Sequence, residues 1–230
     1  MQKLLVANFK MNGNQNFYEK VNKHINKLKS TDTVILCPPF VYMPFFKIKN
    51  KNVFLGSQDV SIAENTKSTG QISGKMLKEF NIKYSIIGHS ERRAIGETDL
   101  IVADKVKNCV ENCIYPIVCV GEQNKTSKLD VLVEQVKLAL SKVQNTDVIF
   151  AYEPVWAIGT GEQPTIKQID KAVSLINKTA KNLGFDVPVL YGGSVNSKNY
   201  KEILTSKADG LLMGGVTLKI DEFLKILKGE

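Results

Sequence analysis

No apolar run in this chain approaches the roughly 20 residues that a membrane-spanning helix needs. The first residues, Met1–Ala7, hold too short an apolar core for a secretory signal, so a cytoplasmic protein with no membrane partner is expected. Cysteine is confined to Cys37, Cys109, Cys113 and Cys119, with no C-x-x-C pair and no nearby histidine to complete a ligand set. That argues against a disulfide framework and a zinc site and for thiols in a reducing compartment. Arginine occurs only as Arg92 and Arg93, so nearly all of the 31 basic residues are lysines. They scatter along helical faces instead of forming a block interleaved with aromatics, which argues against a nucleic-acid partner despite the net charge of +8. A basic field of that size does help to collect a small anion. The sequence also lacks a P-loop, and no G-x-G-x-x-G follows its first apolar run.

What remains is one soluble chain of 230 residues, 43% hydrophobic and 23% charged, large enough to bury its own core. Strands are expected at Leu4–Asn8, Val34–Cys37, Val53–Ser57, Tyr84–Ile87, Pro116–Val120, Asp147–Tyr152, Pro188–Tyr191 and Gly210–Met213. Helices are expected between them at Phe17–Leu28, Val41–Lys47, Ser73–Phe80, Thr98–Cys113, Leu129–Val143, Ile166–Leu183 and Ser197–Leu204, with a last one at Ile220–Leu227. The strand runs are apolar throughout, as in parallel strands covered on both faces. Eight strand–helix units without a linker or a shift in composition predict an α/β fold, a single-domain (β/α)8 barrel over residues 1–230. The long connection Gln58–Ile72 has no periodicity of its own, and such loops are usually functional.

A barrel gathers the carboxyl ends of its strands on one face, so polar residues there converge despite their separation in sequence. Strand one ends in Asn8 and Lys10, strand four in His89-Ser90-Glu91, and strand six in Glu153. Strand seven ends in Tyr191-Gly192-Gly193-Ser194 and strand eight in Gly214-Gly215. After Glu153, Pro154 stops the strand, and an apolar loop follows with Trp156 and Ile158, closed by Gly159 and Gly161. That composition fits a lid that buries its face and dries the carboxylate at its root, sharpening it as a proton-abstracting base. Ser90 is the expected N-cap of a short helical turn, whose N-terminus favours a neutral, donating His89. The glycines after strands seven and eight, with Gly159, fit an anion site made of backbone N–H groups, and Lys10 adds a cation on the same face.

Six motifs, in order along nearly the whole chain, resemble the triosephosphate isomerase family: Asn8-Phe9-Lys10-Met11-Asn12, Gly88-His89-Ser90-Glu91-Arg92-Arg93, Cys119-Val120-Gly121-Glu122, the segment Ala151–Gly161, Tyr191-Gly192-Gly193-Ser194-Val195, and Leu212-Met213-Gly214-Gly215. The resemblance implies a TIM barrel that interconverts dihydroxyacetone phosphate and glyceraldehyde 3-phosphate in glycolysis and gluconeogenesis, with no metal or organic cofactor. It implies that Glu153 moves the proton, that His89 donates to the substrate oxygens, and that Lys10 supplies charge while Asn8 positions the substrate. Gly159, Ser194, Gly214 and Gly215 would bind phosphate through backbone N–H groups, and Ser90 and Glu91 would support His89. Ile158 and Leu212 would desolvate Glu153, Tyr191 would latch the closed lid, and Glu122 would hold Trp156 in the open one. The base, neutral histidine and closing loop of this family are a well-known pattern.

The resemblance further implies a homodimer through the loop around Thr69. Gln71 stands where the family usually has Glu and Asp59 where Asn is usual, so the interface is expected to survive with a neutral hydrogen bond to Arg92 in place of an ion pair between subunits. The segment after Gly121-Glu122 is several residues shorter than usual. Two alternatives share the fold: another phosphosugar barrel enzyme, and a non-catalytic protein that binds a phosphate ligand. The lid sequence together with Lys10 and His89 argues against the first, and the retained carboxylate Glu153 against the second.

Overall fold

The computed structural model describes residues 2–62, 67–144 and 146–230. Eight parallel strands close on themselves in sequence order: β1 (Leu4–Asn8), β2 (Thr33–Cys37), β3 (Val53–Ser57), β4 (Tyr84–Ile87), β5 (Tyr115–Val120), β6 (Ile149–Tyr152), β7 (Val189–Tyr191) and β8 (Gly210–Met213). The main helices pack outside: α1 (Gln15–Ile25), α2 (Gly74–Glu79), α3 (Ser90–Ala94), α4 (Asp99–Glu111), α5 (Asp130–Leu140), α6 (Ile166–Asn182), α7 (Tyr200–Ile203) and α8 (Ile220–Lys228). The expected barrel is therefore present, with each expected strand within two residues of its predicted ends. Residues 63–66 of the long connection lie outside the described residues.

Period-two alternation along each strand separates two buried layers. Val6, Ile35, Ile86, Ile117, Cys119, Ile149, Ala151, Leu190 and Leu212 fill the barrel interior. Their neighbours, such as Leu5, Val34, Ile87, Val118, Phe150 and Val189, meet the helices. The inward row ends in Asn8 on β1 and, one residue past the strand, in Glu153 after β6 and Gly214 after β8, all at the mouth. The core thus aims the site.

Helix ends differ from the sequence expectation where side chains intervene. Ser73 and Thr98, expected inside their helices, are N-caps lying just outside α2 and α4, while α6 starts at Ile166 as expected, with Thr165 and Gln168 forming a capping box. The expected helix at Val41–Lys47 is a 3-10 turn, Phe40–Phe45, which contains Pro44. The cap before α3 is His89 and not Ser90: the imidazole accepts from Glu91 N–H, and Ser90 becomes the first helical residue.

Candidate active site

Lys10 sits just past β1 in a left-handed conformation, φ 51°, which a non-glycine side chain adopts only at a cost. Its surroundings pin it there. Asn8 Oδ1 accepts from Lys10 N–H at 2.9 Å, and Gln58 Nε2 donates to Lys10 O at 2.9 Å and to Cys37 O at 2.8 Å. The Lys10 side chain then runs past Gly214, where a Cβ would stand 3.2 Å from its Cε. Its ammonium donates to Glu91 Oε1 at 2.7 Å.

His89 is buried, and its two nitrogens have different tasks. Nδ1 accepts from Glu91 N–H at 3.2 Å, which puts the ring proton on Nε2. Nε2 faces Glu153 Oε1 at 3.3 Å. Ser90 N–H, at the start of α3, donates to Glu153 Oε2 at 3.3 Å. Glu153 is 3% exposed, and its backbone N–H continues the ladder to Val120 O at 2.8 Å. Neighbouring chain comes close on two sides: a Cβ on Gly121 would collide with Glu153 O, and one on Gly192 would stand 2.8 Å from Glu153 Cγ. The Cys119 thiol is pushed well above its ordinary range, first by burial and then by the Glu153 carboxylate beside it.

One cavity of about 280 Å³ collects these groups. Asn8, Lys10, His89 and Glu153 line one side, and Ile158, Gly159, Ser194, Leu212, Gly214 and Gly215 line the rest. Glu91 and Ser90 border it through their contacts with Lys10, His89 and Glu153. Tyr191 stays outside: its ring is buried, its hydroxyl has no partner among the described residues, and a Cβ on Gly193 would collide with it. Burial, then Glu122, pushes that phenol upward.

The loop after Glu153 makes one 3-10 turn, Val155–Ala157, and residues 159–163 stand exposed. Gly159 and Gly161 hold φ of 70° and 79°, which suits glycine. Ser194 Oγ donates to Ala157 O at 2.7 Å, and Glu122 Oε1 accepts both Trp156 Nε1 at 2.8 Å and Tyr152 OH at 2.9 Å. The lid is thus tethered at its root with its tip in solvent, and Glu122 holds Trp156 as the resemblance implied. Sequence reading missed Gln58, and it missed Gly121 and Gly192 as spacers for the base. Gln58 alone carried a signal, being the first polar residue past a strand end.

A closed parallel barrel whose inward side chains converge on a small glycine-lined cavity, with a carboxylate and an imidazole within hydrogen-bonding reach, is the build of a (β/α)8 enzyme with acid–base machinery. A family model described as triosephosphate isomerase matches residues 3–230. Among curated relatives, a triosephosphate isomerase of Orientia tsutsugamushi (strain Boryong) is 36% identical across 99% of this chain and 98% of its own. One from Albidiferax ferrireducens is 39% identical across 98% of both chains. The chain belongs to the triosephosphate isomerase family. Neither alternative left by the sequence, another phosphosugar enzyme or a non-catalytic binder, is favoured by that membership.

Proposed function

We propose that Glu153 is the base that carries the proton between the two carbons as the chain interconverts dihydroxyacetone phosphate and glyceraldehyde 3-phosphate, the activity of its family. Family membership supports the activity, and one observation supports the roles: Asn8, Lys10, His89 and Glu153 border the same cavity as Gly159, Ser194, Gly214 and Gly215. The glycine-lined end takes the phosphate on backbone N–H groups, leaving the carbonyl end beside His89 and Lys10. There the substrate oxygen replaces Glu153 as acceptor of the His89 Nε2 proton, and the freed carboxylate turns over the carbons. Glu153 takes a proton from the hydroxymethyl carbon, charge moves onto the carbonyl oxygen, and His89 and Lys10 stabilise the resulting ene-diolate. His89 Nε2–H gives its proton to that oxygen and takes one from the neighbouring hydroxyl, so the charge moves to the first oxygen. The protonated carboxyl then returns its proton to the second carbon as the first becomes the aldehyde carbonyl, which leaves Glu153 ionised again.

A positioned base supplies about 10²–10⁴-fold, so the donors and the lid must supply most of the remaining acceleration. Closing the lid brings Ile158 over Glu153 opposite Leu212 and excludes water, which also suppresses loss of phosphate from the intermediate. The reaction serves glycolysis and, run in reverse, gluconeogenesis, in the cytoplasm. We extend the reading to a homodimer: a second hollow beside Lys10, lined by Phe40, Gln71, Ile72 and Arg92, suits the Thr69 loop of another copy.

A coupled assay on glyceraldehyde 3-phosphate tests the proposal with wild type, Glu153→Asp and His89→Gln side by side. Shortening the base by one methylene is expected to cut kcat by about 10²-fold with KM changed far less. Equal losses in both constants, or an indifferent His89→Gln, count against these roles.

A further inference from the structure

The lid carries a tether that the proton transfer itself does not require. Lys125 lies in the short segment between Glu122 and α5, and its ammonium meets the lid twice. Nζ donates to Glu162 Oε2 at 2.7 Å and stands 5.1 Å from the centre of the Trp156 ring. Trp156 comes before the lid tip and Glu162 after it, so one charge joins both arms of the loop. None of the three residues lines the cavity. The tether therefore draws the lid toward the rim after β5, away from the β7 and β8 ends that form the glycine wall.

We propose that Lys125 is a positioning residue for the lid, a strap that holds Trp156 and Glu162 in the tip-out arrangement and so sets how readily the lid closes over a phosphate ligand. Its effect on turnover rests on the isomerase reading; its effect on binding does not. A ligand that grips the closed lid must first break the strap, so its apparent affinity falls by the fraction of molecules that are closed. An exposed ion pair alone biases such an equilibrium little, but the same ammonium also faces an indole, and the two contacts break together.

Trp156 is the single tryptophan of the chain, so its emission follows the lid. Titration with glycerol 3-phosphate, which has no carbonyl to react, compares wild type with Lys125→Ala, Glu162→Gln, Lys125→Arg and the exchanged pair Lys125→Glu/Glu162→Lys. The first two are expected to tighten binding about two- to fivefold, with Lys125→Arg at the wild-type midpoint and the exchanged pair between. Lys125→Ala lowers the net charge and Glu162→Gln raises it, so a shared tightening separates the strap from long-range attraction. In turnover the same two variants lower KM by the same factor. Midpoints within error of wild type, or an exchanged pair no nearer wild type than Lys125→Ala, overturn the strap. Wild type that binds the phosphate but fails to isomerise glyceraldehyde 3-phosphate overturns the isomerase reading instead.

Discussion

At Gly192 the chain passes so near the proposed base that a Cβ would stand 2.8 Å from Glu153 Cγ and 3.4 Å from its Oε1. The Glu153 backbone is fixed by its ladder bond to Val120, so a crowded side chain yields by turning its carboxylate away from Ser90 N–H and His89. Gly192→Ala is therefore expected to rotate the carboxylate and lower kcat by about 10- to 100-fold while the thermal midpoint moves little. Steady-state kinetics beside a melting curve check this; a variant as active as wild type shows that the carboxylate has slack. Gly192 also marks what the sequence could convey. Lys10, His89 and Glu153 were legible because chemically distinct side chains sit at strand ends, with His89 one of only two histidines. The demand on Gly192 comes from a residue on another strand, and a glycine pair after a strand reads equally well as a turn or an anion cradle. The cap before α3 was misjudged for a related reason. Serine is the usual cap, but the imidazole of His89 accepts from Glu91 N–H first, and Ser90 N–H is left for Glu153.

The five residues of α3 are too few to be stable alone, and a buried charge cluster holds them. Arg92 bridges Asp59 at 2.9 Å and Glu97 at 2.8 Å, and Lys105 of α4, 2% exposed, pairs with the same two carboxylates. Arg92 thus finds its carboxylates within its own chain. Lys105→Met leaves them with one cation and should destabilise the fold by about 3–5 kcal/mol at neutral pH. Burial already holds the Asp59 carboxyl above its usual value, and loss of Lys105 raises it further. A carboxyl raised on folding contributes stability that is fully present below its unfolded value and lost as pH rises through its folded one. The gap between variant and wild type in urea should therefore narrow as pH falls from 7 toward about 4. A gap that stays constant or widens contradicts the cluster's electrostatic role. The elements themselves were largely readable from apolar periodicity, and the exceptions have local causes. Of the helix expected over Ser197–Leu204 only Tyr200–Ile203 forms, because Asn196 Oδ1 takes the N–H groups of Lys198 and Asn199, and Asn199 Oδ1 takes that of Asn196.

For the whole molecule, the barrel followed from eight alternations of pattern, but what meets its surface is not encoded in periodicity. The hollow beside Lys10 is shared by Asn8, His89 and Glu91, so whatever fills it touches the support of the site. Met11 at its edge is 94% exposed, and Val41 and Ile95, which closely follow its lining residues Phe40 and Arg92 in sequence, are each 73% exposed. Scattered exposed apolar residues are ordinary in a monomer; a group of them beside one hollow is what the proposed dimer face would need. A second copy is the occupant that the resemblance supplies, and closed two-fold pairing is the commonest way to cover such a face. Sedimentation at micromolar concentration is expected to give twice 25.6 kDa. Met11→Asp with Ile95→Asp should halve that mass and lower turnover, because the strained Lys10 backbone next to Met11 loses its cover. A wild-type monomer under these conditions, or a monomeric variant of full activity, would remove the partner from the site.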